Sequence, residues 1–148
     1  MEKTKGLWMV TAVAGVLAFA GCTHFQTNKV QSWTLSASPN VPAAEGRVQV
    51  QPGKGPDHNQ ALMVSVDHMA PVDKAFPGMT SYVVWVIPQG GQPPQNLGIL
   101  NVGENLKGEL KGSTPYKTFD ILVTAEAQDH PAEPSGNRVM SASVVTPS

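Results

Sequence analysis

The sequence predicts an all-β domain of seven or eight short antiparallel strands behind a removable N-terminal leader. Three observations carry this reading. Apolar residues recur at every second position in a series of short segments after residue 31. Glycine and proline, 14 and 13 of 148 residues, fall mainly between those segments. No stretch after Cys22 shows an apolar stripe at helical spacing longer than two turns. A composition this rich in Gly and Pro lies near that of disordered chains, but the alternation assigns these residues to turns.

The segments follow in order. Trp33 and Leu35 mark a short first strand, and Val48 and Val50 a second, with Arg47 and Gln49 opposite. Leu62, Val64 and Val66 form a clean third strand. Residues 69–79, with Pro71 and Pro77, are predicted to form an irregular crossover between sheets. Ser81 to Ile87 is apolar on both faces, which predicts a central strand covered on each side. Leu97 and Ile99 mark the next strand, and Leu106 and Leu110 the one after. Thr118 to Ala125 puts Phe119, Ile121 and Val123 on one face, and Arg138 to Val145 closes the domain.

Turn chemistry separates these runs: residues 52–56 (PGKGP), 88–91 (PQGG), 103–105 (GEN) and 111–113 (KGS). Strands of this number and length predict an antiparallel β-sandwich of immunoglobulin-like type. At 148 residues the chain accommodates one domain, and no internal repeat is present. The expected division is a leader over 1–21, a lipidated cysteine and tether over 22–31, and the sandwich over 32–148.

The leader begins with Lys3 and Lys5 against Glu2 and continues as an apolar run from Leu7 to Ala20. As a helix this run would be about 21 Å long, too short for a stable span. It ends in Phe19-Ala20-Gly21-Cys22. The order of charge, apolar run, small residues and Cys resembles the signal peptide and lipobox of bacterial lipoprotein precursors. That resemblance implies a lipid on the Cys22 thiol, cleavage before Cys22, and membrane anchoring. Phe19 stands where the family prefers Leu. Thr23, not Asp, follows the cysteine, which by the same resemblance implies the outer membrane, facing the periplasm or the cell surface. Thr23 to Gln31 is polar and aperiodic, as a short tether would be.

A second resemblance covers under half of the chain. Tyr82-Val83-Val84-Trp85-Val86-Ile87, then Gln89-Gly90-Gly91-Gln92-Pro93, then Asn96-Leu97-Gly98-Ile99-Leu100 give an apolar Trp-bearing strand, a Gly/Pro turn and a strand with an early Gly. Phe119-Asp120-Ile121-Leu122-Val123-Thr124-Ala125-Glu126 is an aromatic-led strand ending in Thr-x-Glu, and residues 131–136 (PAEPSG) form a Pro-bearing hairpin. This pattern resembles the extracytoplasmic β-sandwich of anti-sigma-K-type regulators. The resemblance implies fold and compartment. Those regulators place a sigma-binding domain and a membrane-spanning helix ahead of the sandwich. A cleavable leader stands there in this chain, so regulation of a sigma factor is not expected.

The remaining residues weigh against chemistry. Removing Glu2, Lys3 and Lys5 from ten basic and eleven acidic residues leaves eight and ten, a formal charge of -2. No Lys/Arg cluster supplies the footprint that nucleic-acid binding requires. The single cysteine, Cys22, excludes an internal disulfide and a thiolate metal site within the domain. His24, His58, His68 and His130 invite a metal, and Met63 and Met69 near His68 suit copper. Their spacing offers no compact ligand set, so they read as turn and strand-end residues. Ser65, Ser141 and Ser143 lack a nucleophile elbow and fit the solvent face of strands. Glu126 and Asp129 are a candidate carboxylate pair beside no evident cleft. Trp33 and Trp85 are candidates for a ligand platform; Trp85, inside its strand, reads as core, and Trp33, near the start of the domain, stays open between core and platform. The expectation is a non-enzymatic envelope binding or interaction module without metal or cofactor. The membrane, through Cys22, and an envelope protein are its expected partners. Two alternatives remain: a periplasmic accessory or sensor subunit docked on a membrane complex, and a small metal-handling lipoprotein.

Overall fold

A computed structural model describes residues 29–53 and 56–147. Eight strands follow in chain order: β1 (Gln31–Ala37), β2 (Glu45–Gln51), β3 (Gln60–Asp67), β4 (Ser81–Pro88), β5 (Gln95–Leu100), β6 (Gly108–Thr114), β7 (Thr118–Glu126) and β8 (Asn137–Val145). All pairings are antiparallel. One sheet runs β1-β2-β3-β6 and the other β5-β4-β7-β8-β1. Chain order jumps between sheets at β3 to β4, β5 to β6 and β6 to β7, as in an immunoglobulin-like sandwich.

β1 belongs to both sheets. Gln31–Leu35 pair with β2, while Ser36 and Ala37 pair with β8. This strand joins the two sheets along one side. On the other side β5 and β6 approach each other, and Gln95 Nε2 donates to the Ser113 carbonyl at 2.9 Å. The eight strands thus form a nearly closed sheet around one core.

Inward residues follow the period of two. Val48 and Val50 of β2, Leu62, Val64 and Val66 of β3, Tyr82, Val84 and Val86 of β4, and Phe119, Ile121 and Val123 of β7 are all buried in one cluster. Each such side chain contributes roughly 1.5–3 kcal/mol relative to exposure. The crossover from β3 to β4 holds one helical turn, α1 (Val72–Ala75), begun by Pro71. Met69 and Phe76 of this crossover are buried and close one end of the core. Phe76 meets the Tyr82 ring edge-on at 6.3 Å. The Tyr82 hydroxyl donates to the Ala70 carbonyl at 2.8 Å, and burial pushes its pKa up to about 12.

β4 is the central, doubly covered strand predicted from residues 81–87. Two sequence expectations require correction. Leu106 is not in the sixth strand, which starts at Gly108. It has φ +61° and sits in the turn closed by Gly103 N–H to the Lys107 carbonyl, with its side chain exposed. Residues 111–113, expected as a turn, lie inside β6, where Gly112 pairs with Leu62. Gly112 is there for close approach: a Cβ would come within 2.9 Å of Leu97 Cδ2 on β5. Leu97 is the extra residue of a bulge, because Val84 pairs with Gly98 and Trp85 with Asn96. The bulge and the missing side chain together bring β5 against β6.

Candidate functional site

The polar feature of the domain lies on the outer face of the β5-β4-β7-β8 sheet. Val83 and Trp85 alternate with the inward Tyr82, Val84 and Val86, so they point away from the core. Both are nevertheless 0% exposed. The connection between β7 and β8, residues 127–136, folds back as a strap over this face. It is held at Asn96 on β5, whose Nδ2 donates to the Pro131 carbonyl at 3.4 Å. It is held again at Ser81, whose hydroxyl donates to the Gln128 carbonyl at 3.3 Å, and at Glu126 on β7. Trp85 lies between these attachment points, so a covering loop buries it and the opposite sheet does not.

A chain of hydrogen bonds runs beneath the strap. Trp85 Nε1 donates to Thr124 Oγ1 at 2.9 Å. Thr124 Oγ1 donates to Glu126 Oε1 at 2.6 Å. Ser135, on the strap, donates its N–H to Glu126 Oε1 at 3.1 Å and its hydroxyl to Oε2 at 2.8 Å. Register explains the geometry: Val83 stands opposite Thr124 and Trp85 opposite Leu122, so the indole reaches Thr124 along the diagonal. Thr124 and Glu126 are two apart and share a face.

Glu126 is 1% exposed. Burial pushes its pKa up, but the Thr124 hydroxyl, the Gly136 and Ser135 N–H groups and the Ser135 hydroxyl outweigh it. They hold the carboxyl below the ordinary glutamate range. The charge is therefore held by neutral donors, and both oxygens are engaged. A carboxylate so satisfied is a poor base and is hidden from any substrate. The arrangement braces the strap to the sheet.

Beyond the strap the same face is open. A concavity of about 450 Å³ is lined by Ser36, Ile87, Asp120, Leu122, Ser141 and Ser143, among others. Its floor mixes apolar Ile87 and Leu122 with hydroxyls, and Arg138 stands on its border. It spans β4, β7, β8 and the switch point of β1.

The structure disperses the other candidates. His58 lies between β2 and β3, and His68 just past the end of β3, both at positive φ. The eight-residue β3 separates them, about 26 Å at 3.3 Å per residue. His130 lies on the exposed strap. The three do not converge on one site, and among the described residues no group of three His, Cys, Asp or Glu is placed to hold a metal ion. Ser65 lies on β3, away from Ser141 and Ser143 on β8. Asp129 does not pair with Glu126; it borders a separate depression with Asp73, Tyr82 and Asn101. Trp33 is half-buried against the core. Cys22, the leader and His24 lie outside the described residues.

The brace is not a pattern along the sequence, although Trp85 and Glu126 are each candidates there. The available signal was Thr124 and Glu126 on one strand face, next to a strand carrying an outward tryptophan. Among the described residues, no helix is long and apolar enough to cross a membrane. No protein-family model matches the chain, and no curated protein matches it.

Proposed function

We propose that the chain is a lipoprotein anchored by acyl chains on Cys22, whose sandwich serves as a non-catalytic binding or interaction module of the cell envelope. The observation that carries this is the order of the leader: Lys3 and Lys5, the apolar run Leu7 to Ala20, then Phe19-Ala20-Gly21-Cys22. The polar stretch after Cys22 leads directly into β1. The open concavity beside the strap is the partner surface this reading favours, because its mixture of apolar side chains and hydroxyls suits a polypeptide.

Docking on a membrane complex as an accessory subunit is a second reading, favoured by the same half-open sheet face. The resemblance to the extracytoplasmic sandwich of anti-sigma-K-type regulators fits either reading. The residues that carry it include Trp85, Thr124, Glu126 and the strap, which are the members of the brace.

Intact-mass measurement of the protein from membrane fractions tests the anchor. The expected species starts at Cys22 and carries acyl mass, and Cys22→Ser releases the protein into the soluble fraction. A mature N-terminus elsewhere defeats the proposal. Capture from the native envelope, with Leu122→Asp as control, tests the module: a partner lost on that substitution supports it. The same partners captured by wild type and Leu122→Asp would defeat this surface as the binding site.

A further inference from the structure

The sandwich has two unlike ends. Strand directions fix which loops belong to each. Gln31 pairs with Val50, Gln60 with Thr114 and Thr118 with Val145. One end therefore gathers the start of β1, the β2–β3 and β6–β7 connections and the residues after β8. The other gathers the β3–β4 crossover, the β5–β6 turn and the strap.

The end where the chain enters the domain carries Val30 and Val145, 53% and 61% exposed, two of the three exposed large hydrophobics among the described residues. Its described charges balance: Lys29 and Lys117 against Asp57 and Asp120, whose Oδ1 accepts from Gln89 Nε2 of the β4–β5 turn at 3.3 Å. Tyr116 is half-buried beside Lys117. The opposite end is acidic. Lys74 and Lys107 there are taken up by Asp73 and Asp67 at 3.5 and 2.7 Å. Glu45, Glu104, Asp129 and Glu133 then outnumber Arg47 and Arg138.

We infer that the entry end seats on an anionic lipid surface, and that the acidic end, with the strap, points away from it. This rests on the lipid-anchor reading of Cys22. The seven residues from Cys22 to Asn28 reach at most about 25 Å, so an anchored domain is confined near the bilayer with its entry end closest. Within that distance Lys29 and Lys117 offset Asp57 and Asp120, so acidic headgroups do not repel this end, whereas each uncompensated carboxylate of the acidic end disfavours the inverted pose about fivefold. Val30 and Val145 add apolar contact, and repulsion of the acidic end opposes the inverted pose.

The test uses the full, lipidated mature protein in vesicles of phosphatidylcholine with phosphatidylglycerol. One fluorophore is placed at Gln92→Cys, in the β4–β5 turn of the entry end, or at Ala43→Cys, in the β1–β2 turn of the acidic end. The Cys22 thiol is acylated, so the label is unique. A lipid-borne quencher is expected to quench the Gln92 label several-fold more than the Ala43 label. That contrast is expected to shrink in phosphatidylcholine alone and in Lys29→Glu/Lys117→Glu, whose fold is checked by circular dichroism. Equal quenching of the two labels in fully vesicle-bound protein overturns the seating and leaves the anchor intact. Protein without acyl mass, recovered in the supernatant, overturns the anchor and the seating together.

Discussion

The Trp85 indole donates to the Thr124 hydroxyl at 2.9 Å across two neighbouring strands, on the face of the sheet that points away from the core. A buried indole N–H needs a partner, and a threonine hydroxyl supplies one while donating its own hydrogen bond to Glu126. The link fastens a large apolar side chain to the carboxylate that pins the strap. Packing and polar satisfaction are thereby coupled in one small region.

Trp85→Ala removes the largest fully buried side chain among the described residues and leaves a cavity that the strap can only partly fill. The expected cost is about 3–5 kcal/mol, a large share of a typical stability of roughly 5–15 kcal/mol. Trp33→Ala, at a half-buried position on β1, is expected to cost less. Urea unfolding of the domain followed by circular dichroism ranks the two. Equal midpoints for wild type and Trp85→Ala would show that the strap does not bury Trp85.

Thr124→Val keeps the side-chain shape and removes the hydroxyl. The Trp85 N–H then loses its acceptor, and Glu126 loses one donor. The expected loss is about 1–3 kcal/mol, the usual cost of a buried group left unpaired. Thr124→Ser, which restores the hydroxyl, is expected to recover most of it. Failure of Ser to do better than Val would mean that the methyl group, not the hydrogen bond, matters at this position.

Alternation made β3 and β7 legible in the sequence, because a period of two has one meaning when one face is buried, and an unbroken apolar run made β4 legible as a strand covered on both faces. Gly112 was not legible: a glycine between Lys111 and Ser113 signals a turn as readily as close approach, and only Leu97 on β5 decides. Leu106 misled for the opposite reason. Its apolar side chain suggests a strand, yet backbone closure of the 103–107 turn holds it at positive φ. The brace depends on the register of β4 against β7 and on where residues 127–136 return, neither of which is a local property. The dispersal of the histidines follows from β3 being a straight spacer between two of them.

Gly136 ends the strap where a side chain has no room. A Cβ there would fall onto the Ala125 carbonyl oxygen and within 2.9 Å of Glu126 Oε2. Gly136→Ala is therefore expected to displace the strap from the sheet, at about 1–3 kcal/mol for a packed site forced apart. Faster amide hydrogen exchange in residues 127–136 and at Trp85 Nε1, with β2 and β3 unchanged, is the expected pattern. A uniform change across the domain would show that the strap is not an independent unit.

Glu126 gives the domain a pH dependence whose sign follows from its environment. Burial alone would raise its pKa, yet the hydrogen bonds from Thr124, Gly136 and Ser135 bring it below the value of the unfolded chain, about 4.3. A group with a depressed folded-state pKa contributes stability that is fully present above the unfolded value. That stability is lost as pH falls through the folded value. Glu126→Gln keeps the shape but replaces one acceptor oxygen with a donor, which leaves Thr124 or Ser135 facing a like group. The difference in urea midpoint between wild type and Glu126→Gln is expected to be constant from about pH 7 to 5 and to shrink below about pH 4. Reduced quenching protection of Trp85 fluorescence should accompany it, as the strap loosens. A difference that persists unchanged to the lowest pH at which both proteins fold would show that Glu126 is held by shape rather than by its charge.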